Sequence, residues 1–442
     1  MVLSSLFRTT AATGLCCTLI SLVSASPIRP LAQNFVVVGE SPDATVVPLY
    51  NPSILRIDTG RLVASYLLSG KHSAEVTSVT KVSTSDDHGV TWKFRTDLTK
   101  LSQARLFPAG RAIYLIGSGR PLRISRSVDQ GETWSEPVQI ADGAWHQTAS
   151  NFLRAKGNIY LAIEKHSPAE VDAWPVGDLA PILMRAKETD DLTNPANWTF
   201  ASELAFKDII PGYRENTPQM DWFGVPFYPQ NFPKSTILVR KPYNRNFAPM
   251  GWLETNVARI TDLGHYWFDP EGKTFHLLMR ANTGGTGYAA LAKVHENDDG
   301  TMTTSLEHAP SGKTMLFLPL PGGQMRFHIL QDPKTQLYWL LSTQATDSMT
   351  RAESLPPDRY SLPNNERQRL VLHFSKNLVD WCFAGVVAIG DTADQARHYA
   401  SMDIDGDDLV ILSRSGDERA KSAHDGNLIT FHRVKDFRSL VY

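Results

Sequence analysis

Ser83-Thr84-Ser85-Asp86-Asp87-His88-Gly89-Val90-Thr91-Trp92 and Ser125-Arg126-Ser127-Val128-Asp129-Gln130-Gly131-Glu132-Thr133-Trp134 obey one pattern, S-x-S-x-D-x-G-x-T-W. Each copy reads as a tight β-turn. The Asp carboxylate accepts backbone N–H groups, the Gly takes a positive φ, and the Trp is left to pack between neighbouring sheets. Two copies of one turn in a chain call for repeated hairpins.

Working outward, the flanking sequence supplies the strands. Six phrases of apolar strand, Gly or Asp-Pro turn and apolar strand run from Leu55 to Leu68, Leu106 to Ile116, Phe152 to Ile163, Trp267 to Met279, Phe327 to Leu341 and Met402 to Leu412. Amphipathic helical periods are scarce. The two turns resemble the Asp-box of sialidase-like propellers. We therefore expect an all-β fold, a single β-propeller with six legible blades, and seven favoured if the Pro-, Asn- and aromatic-rich interval 205–260 holds an irregular one. A strand at Asn34 to Gly39 is expected to close the ring by joining the last blade near Leu428 to Val434.

Composition bounds the rest. With 442 residues, 44 Lys+Arg against 46 Asp+Glu and 42% hydrophobic residues, the chain is neither disordered nor collagen-like. The absence of a polybasic tract argues against nucleic acid as partner. Residues 1–25 read as a secretory signal peptide, with Arg8, the apolar run Leu15 to Val23 and the small-residue site Val23-Ser24-Ala25. Residues 26–442 then form a secreted propeller catalytic domain, with no membrane span and a monomer as the default. Cys382 is left alone, as a small apolar residue, and Asn197-Trp198-Thr199 is a glycosylation sequon.

In a propeller, the loops entering the inner strands and those joining second to third strands build one axial pocket. These loops nominate His72, Arg120, His146, His166, Arg280, Asn282, Arg326 and Tyr399, together with Asn51, Arg105 and Arg414, and no carboxylate. Without a carboxylate pair, ordinary glycoside hydrolysis lacks its machinery. Arg56 and Asp58 weakly imitate a sialidase start, but Asp58 reads as a hairpin residue. His, Tyr and Arg together suit β-elimination at a uronic acid: an Arg neutralises the carboxylate and acidifies C5–H, a neutral His or Tyr removes the proton, and an acid protonates departing O4. His146 and His166, at the two ends of one hairpin, are the sharpest pair.

The mature chain, including Gly284-Gly285-Thr286-Gly287-Tyr288, Arg397-His398-Tyr399-Ala400-Ser401-Met402-Asp403 and Ala423-His424-Asp425-Gly426-Asn427, resembles the propeller polysaccharide lyases. Within them it is most similar to the fungal secreted rhamnosyl-glucuronate lyases related to propeller α-L-rhamnosidases. The resemblance implies a seven-bladed enzyme that removes terminal L-rhamnose α-1,4-linked to D-glucuronate in arabinogalactan-type glycans, leaving an unsaturated uronate. By similarity to ulvan lyases, His146 and His166 match a catalytic pair, Tyr213 is a catalytic candidate, and Arg214 and Arg280 are candidates for binding the carboxylate. Calcium is conceivable as a structural or bridging ion, but Asp403-Ile404-Asp405-Gly406-Asp407-Asp408 lacks a calcium-loop spacing and reads as a turn. Two alternatives stand: a hydrolase acting on the same rhamnose cap, and a non-catalytic propeller stacking sugars on Trp145, Trp174, Trp222 and Tyr399.

Overall fold

The computed structural model describes residues 29–168, 174–210, 250–283, 287–351, 354–355 and 366–442, with two short paired strands at 237–239 and 245–247. The proposed leader, Tyr213, Arg214, Trp222 and Gly284 to Thr286 lie outside the described residues. Within them the chain is nearly all β, with one short α-helix at Phe206–Ile209.

Six antiparallel sheets follow one another. Their inner strands are Leu49–Arg56 in blade 1, Ser102–Ala109 in blade 2, Trp145–His146 continued by Leu153–Ala155 in blade 3, Gly251–Ala258 in blade 4, His328–Gln331 in blade 5 and Arg397–Asp405 in blade 6. Blade 6 takes its outermost strand from the other end of the chain: Val36–Glu40 pairs antiparallel with Leu428–Val434. Ring closure is thus where the sequence places it.

Each of the six apolar cores joins two consecutive blades. Leu55 and Val63 pack with Leu106 and Leu115, Phe107 and Tyr114 with Leu161 and Ile182, and Tyr160 and Leu183 with Trp252 and Phe275. Leu278 and Leu291 meet Ile329 and Leu340, Trp339 and Leu372 meet Met402 and Ile411, and Leu412 and Phe431 meet Leu49 and Leu62. Among the described residues six sheets and six shared cores complete the circle, and the seventh blade favoured from sequence is not among them. The described residues of the interval expected to hold it include the inner strand of blade 4, Gly251–Ala258. Trp267, read as part of a strand, lies in the connection between that strand and Thr274–Asn282.

The repeated turns have the expected chemistry. Asp87 accepts the Thr91 N–H at 2.9 Å and Asp129 the Thr133 N–H at 2.9 Å, while Gly89 and Gly131 hold φ of 91° and 88°. Trp92 meets Phe431 of blade 6 edge-on, with ring centroids 5.5 Å apart. A Cβ on Gly89 would stand 2.2 Å from that Phe431 ring, so the turn's glycine serves packing as well as backbone conformation.

Inner strands have no sheet neighbour on the axial side, and their polar groups are met by side chains from other blades. Ser401 Oγ accepts the Ile54 N–H, Ser53 Oγ the Leu106 N–H, and His328 Nδ1 the Met402 N–H. Asn256 bonds the Phe327 carbonyl and the Ile329 N–H. Asn151 donates to Val257 O at 2.9 Å and Ile329 O at 3.0 Å, and accepts the Val257 N–H at 2.8 Å. These bonds form a belt around the axis.

Asn151→Ala leaves one buried N–H and two buried carbonyls short of partners, and we expect a loss of about 3 kcal/mol. A urea midpoint equal to that of the unmodified protein would show that the belt is not a stabilising element.

Candidate active site

The inner strands all run from one face of the ring, carrying Tyr50, Gln103, His146, Arg326 and Arg397, toward the other, carrying Arg56, Pro108, Arg154, Arg259 and Asp405. Near the first face, five of them contain a non-glycine residue of positive φ: Asn51 (47°), Gln103 (48°), Gln147 (53°), Glu254 (61°) and Tyr399 (50°). Four of the five coincide with register irregularities against the second strand: Asn51, Gln103, Glu254 and Tyr399. Such left-handed bulges re-aim a side chain that a regular strand would turn into the sheet.

Tyr399 is the centre of the result. Arg280, from the second strand of blade 4, donates to its hydroxyl oxygen at 2.6 Å. The guanidinium carbons of Arg326, Arg367 and Arg414 lie 5.8, 5.4 and 5.2 Å from its ring centroid. Arg280 also donates to Glu254 at 3.3 Å and to the Gln324 carbonyl at 3.0 Å, and stacks 5.1 Å from the Trp174 ring centre. All four arginines, Tyr399 and Glu254 are buried. A phenolic oxygen that accepts a guanidinium N–H at the centre of such a cluster is held in one place, as a catalytic acid, base or nucleophile must be. On the blade 6 side, Arg414 lies 4.1 Å from the Tyr50 ring centre, and the Tyr50 hydroxyl donates to Asp425 at 2.7 Å.

His146 and His166 do meet. His146 pairs with Glu164 across the hairpin, two residues short of His166, and the two rings stand nearly perpendicular with centroids 5.5 Å apart. Burial first, and then the charge of His166, pull His146 down to about 4, against the opposing influence of Glu254. Burial and then Arg120 lower His166 as well. Both imidazoles are therefore neutral at pH 7, and His146 Nε2 is buried with no hydrogen-bond partner. Burial raises Glu164 to about 7, opposed by its bonds from Thr255.

Of the residues nominated from sequence, the structure gathers Arg280, Arg326 and Tyr399 with the His pair. Asn282 lies buried two residues beyond Arg280 on the same strand, and exposed Arg120 adjoins His166. His72 is exposed in the connection after Leu62–Leu68 and takes no part in the described contacts of the cluster. Trp145 is buried between blades and offers no sugar-stacking face. Arg56 and Asp58 belong to the opposite face. The expected lack of axial carboxylates is corrected: Glu254 and Glu164 both lie buried beside the axis. Glu254 and Arg367 escaped notice because each sits at the end of a Pro- and Asn-rich interval that hides strand periodicity. A usable signal was the recurrence of a polar or aromatic residue, a small residue, then Ser, Arg or Asn: Asn51-Pro52-Ser53, Gln103-Ala104-Arg105, Glu254-Thr255-Asn256 and Tyr399-Ala400-Ser401.

Elsewhere, the Asp403 to Asp408 stretch is a hairpin turn in which Asp405 and Asp408 bond Arg433 and Asp407 bonds Lys334. Among the described residues no group of three or more His, Cys, Asp or Glu side chains is placed to hold a metal ion. Asn197 is partly exposed and its amide donates to Asp191 O at 2.8 Å. Cys382 is a half-buried free thiol.

No family model and no curated protein matches the chain. Solved structures do. The chain is similar to the Hadza microbial sialidase Hz136, at 15% identity over 92% of this chain and 69% of that one, with a TM-score of 0.52. It is also similar to the intramolecular trans-sialidase from Ruminococcus gnavus (12%, 92% and 98%, 0.50) and to Trypanosoma rangeli sialidase in complex with sialic acid (14%, 93% and 60%, 0.50). At these identities the likeness establishes the fold alone, a β-propeller.

The interior histidines also set a pH dependence. His146, His373 and His432 are lowered to about 4 and His328 and His398 well below 6.5, burial being the first cause in each. On acidification the unfolded chain takes up protons near pH 6.5, and the folded protein near 4 or lower, so these groups remove stability as pH falls through that window. Glu164, at about 7, and Asp403, raised by burial to about 6, act oppositely, their contribution being lost as pH rises through those values. Five imidazoles outweigh two carboxyls. The melting temperature is expected to fall as pH drops from about 6.5 to about 4, and the His146 ring resonances to stay unchanged between about pH 5 and 8. Titration of His146 near 6.5 would contradict the environment described.

Proposed function

We propose that the protein is a secreted, exo-acting polysaccharide lyase that removes terminal L-rhamnose α-1,4-linked to D-glucuronate from arabinogalactan-type glycans, working as a monomer without nucleic acid or membrane. The observation that carries this reading is the set of four buried arginines around Tyr399 beside a neutral, half-buried His146. Such a concentration of guanidinium charge suits a ligand with a carboxylate, and a uronate supplies one.

The carboxylate settles against the arginines, which withdraw its charge and stabilise the enolate-like negative charge that develops when C5–H is broken. The base is a neutral imidazole and the acid is the Tyr399 hydroxyl. The C5–H electrons form the C4=C5 bond, the C4–O4 bond breaks, and the departing O4 takes the Tyr399 proton and leaves as the hydroxyl of free rhamnose. In a D-glucuronate C5–H and O4 lie on the same face of the ring, so base and acid act from one side, and His146, His166 and Tyr399, gathered at one face of the propeller, are the groups that can supply them.

The Glu254–Arg280–Tyr399 chain favours one rival, hydrolysis through a tyrosine nucleophile assisted by a carboxylate. The two reactions differ in product. Incubation with a rhamnose-capped, glucuronate-bearing arabinogalactan is expected to release rhamnose together with the ultraviolet absorbance of a 4,5-unsaturated uronate. Rhamnose without absorbance identifies hydrolysis, and neither product rejects both reactions. His146→Ala and Tyr399→Phe are each expected to slow product formation by about 10²–10⁴-fold, and full activity in both would remove these residues from the chemistry.

A further inference from the structure

At the face opposite Tyr399 the axis opens into a cavity of 680 Å³, lined by residues that include Arg56, Arg105, Phe152, Arg259, His328 and Asp403. Its size lies within the range of about 300–1,000 Å³ common to small-molecule sites. None of these residues takes part in the reaction proposed above, and the inference drawn from them stands whether or not that reaction is correct.

Arg105 was nominated from sequence for the other pocket, but the bulge at Gln103 carries it deeper, where it is 2% exposed. Its Nη1 donates to Ser401 Oγ at 2.9 Å, its Nε has no partner, and no described carboxylate lies within ion-pair distance. Asp403, the nearest acid, is engaged by backbone: Oδ2 accepts the Arg56 N–H at 2.7 Å and Oδ1 the Ile404 N–H at 2.8 Å. A guanidinium buried without a counter-ion is strongly disfavoured unless an anion joins it. Two further arginines stand around the cavity; Arg56 is paired with Asp405 at 3.5 Å, while Arg259 Nε is buried without a hydrogen-bond partner.

His328 makes the arrangement directional. Its Nδ1 accepts the Met402 N–H at 2.8 Å as part of the axial belt. That bond occupies the Nδ1 lone pair, fixes the neutral tautomer and leaves Nε2 as an N–H donor. Nε2 lies 3.5 Å from Arg105 Nη2. Two donors this close cannot bond one another, and both can serve one acceptor placed between them. A guanidinium and an imidazole N–H held side by side, with Phe152 under the guanidinium at 5.8 Å, form a cradle for an oxyanion attached to a partly apolar body.

The geometry points to a second ligand site on this protein: an oxyanion site at Arg105 and His328, on the face opposite Tyr399, taking either the carboxylate of an acidic sugar or a free inorganic oxyanion.

The test is calorimetric titration of the full-length protein with sodium D-glucuronate, with inorganic phosphate and with D-glucose at constant ionic strength. The variants are Arg105→Gln, His328→Gln and, from the other face, Arg280→Lys. We expect glucuronate or phosphate to bind, glucose not to bind, Arg105→Gln to weaken binding about tenfold or more, and Arg280→Lys to leave at least one binding event intact. Binding of glucuronate alone assigns the site to an acidic sugar, and equal binding of phosphate assigns it to a free oxyanion; both support the site. Binding that survives in Arg105→Gln but vanishes in Arg280→Lys, or glucose binding as well as glucuronate, overturns it. Should Arg105→Gln fail to fold, His328→Gln decides, with a several-fold loss expected and unchanged affinity counting against the site.

Discussion

A ring of sheets leaves six strand edges facing one another across an axis too wide for backbone pairing, and every buried N–H and C=O on those edges still needs a partner. Ser53, Asn151, Asn256, His328 and Ser401 answer that need, each reaching from its own inner strand to the backbone of another blade. The apolar cores hold neighbouring blades together along their flanks, and without directional bonds at the axis they would permit sliding. The belt fixes where each inner strand stands, and so fixes what each can present.

What they present is set by the left-handed residues beside the belt. Asn51, Glu254 and Tyr399 each lie two positions before a belt residue, and Gln103 two positions before Arg105. A non-glycine residue in this region costs on the order of 1–2 kcal/mol. That cost persists because the belt holds the strand on one side and the second strand of the blade holds it on the other. Fold and site are therefore built from the same few residues of each inner strand: one position bonds the ring and its neighbour turns a side chain toward the axis. The concentration of Arg280, Arg326, Arg367 and Arg414 about a single phenol is a consequence of sixfold convergence on one line.

Much of this was legible in the sequence. The paired turns ending at Trp92 and Trp134 announced hairpin repeats, the strand–turn–strand phrases located the blades, and the position of His146 and His166 at the ends of one hairpin placed them together. Two features were not legible. The inner strand Gly251–Ala258 follows a long Pro-, Asn- and aromatic-rich run, so that blade 4 was assigned one strand too late and Glu254 went unseen. The bulges were equally hidden, since hydrophobic alternation reports which side chains are buried and says nothing of a polar residue rotated out of the pleat toward an axis. An argument from missing carboxylates failed for that reason, while the position-by-position reading named Arg280, Arg326 and Tyr399, which lie together in one cluster.

The strand Val36–Glu40 reaches its place beside Leu428–Val434 from the far end of the chain. Its contacts are thus among the most distant in sequence that the molecule makes, and closing so long a loop is entropically expensive before any sheet pairing repays it. During synthesis this strand emerges first and is placed last, so blades 1 to 5 can assemble while the sixth waits for both of its contributors. The ring behaves as a clasp fastened in a final step, and a chain halted anywhere short of Leu428 carries an open seam with an unpaired strand ready to find another partner.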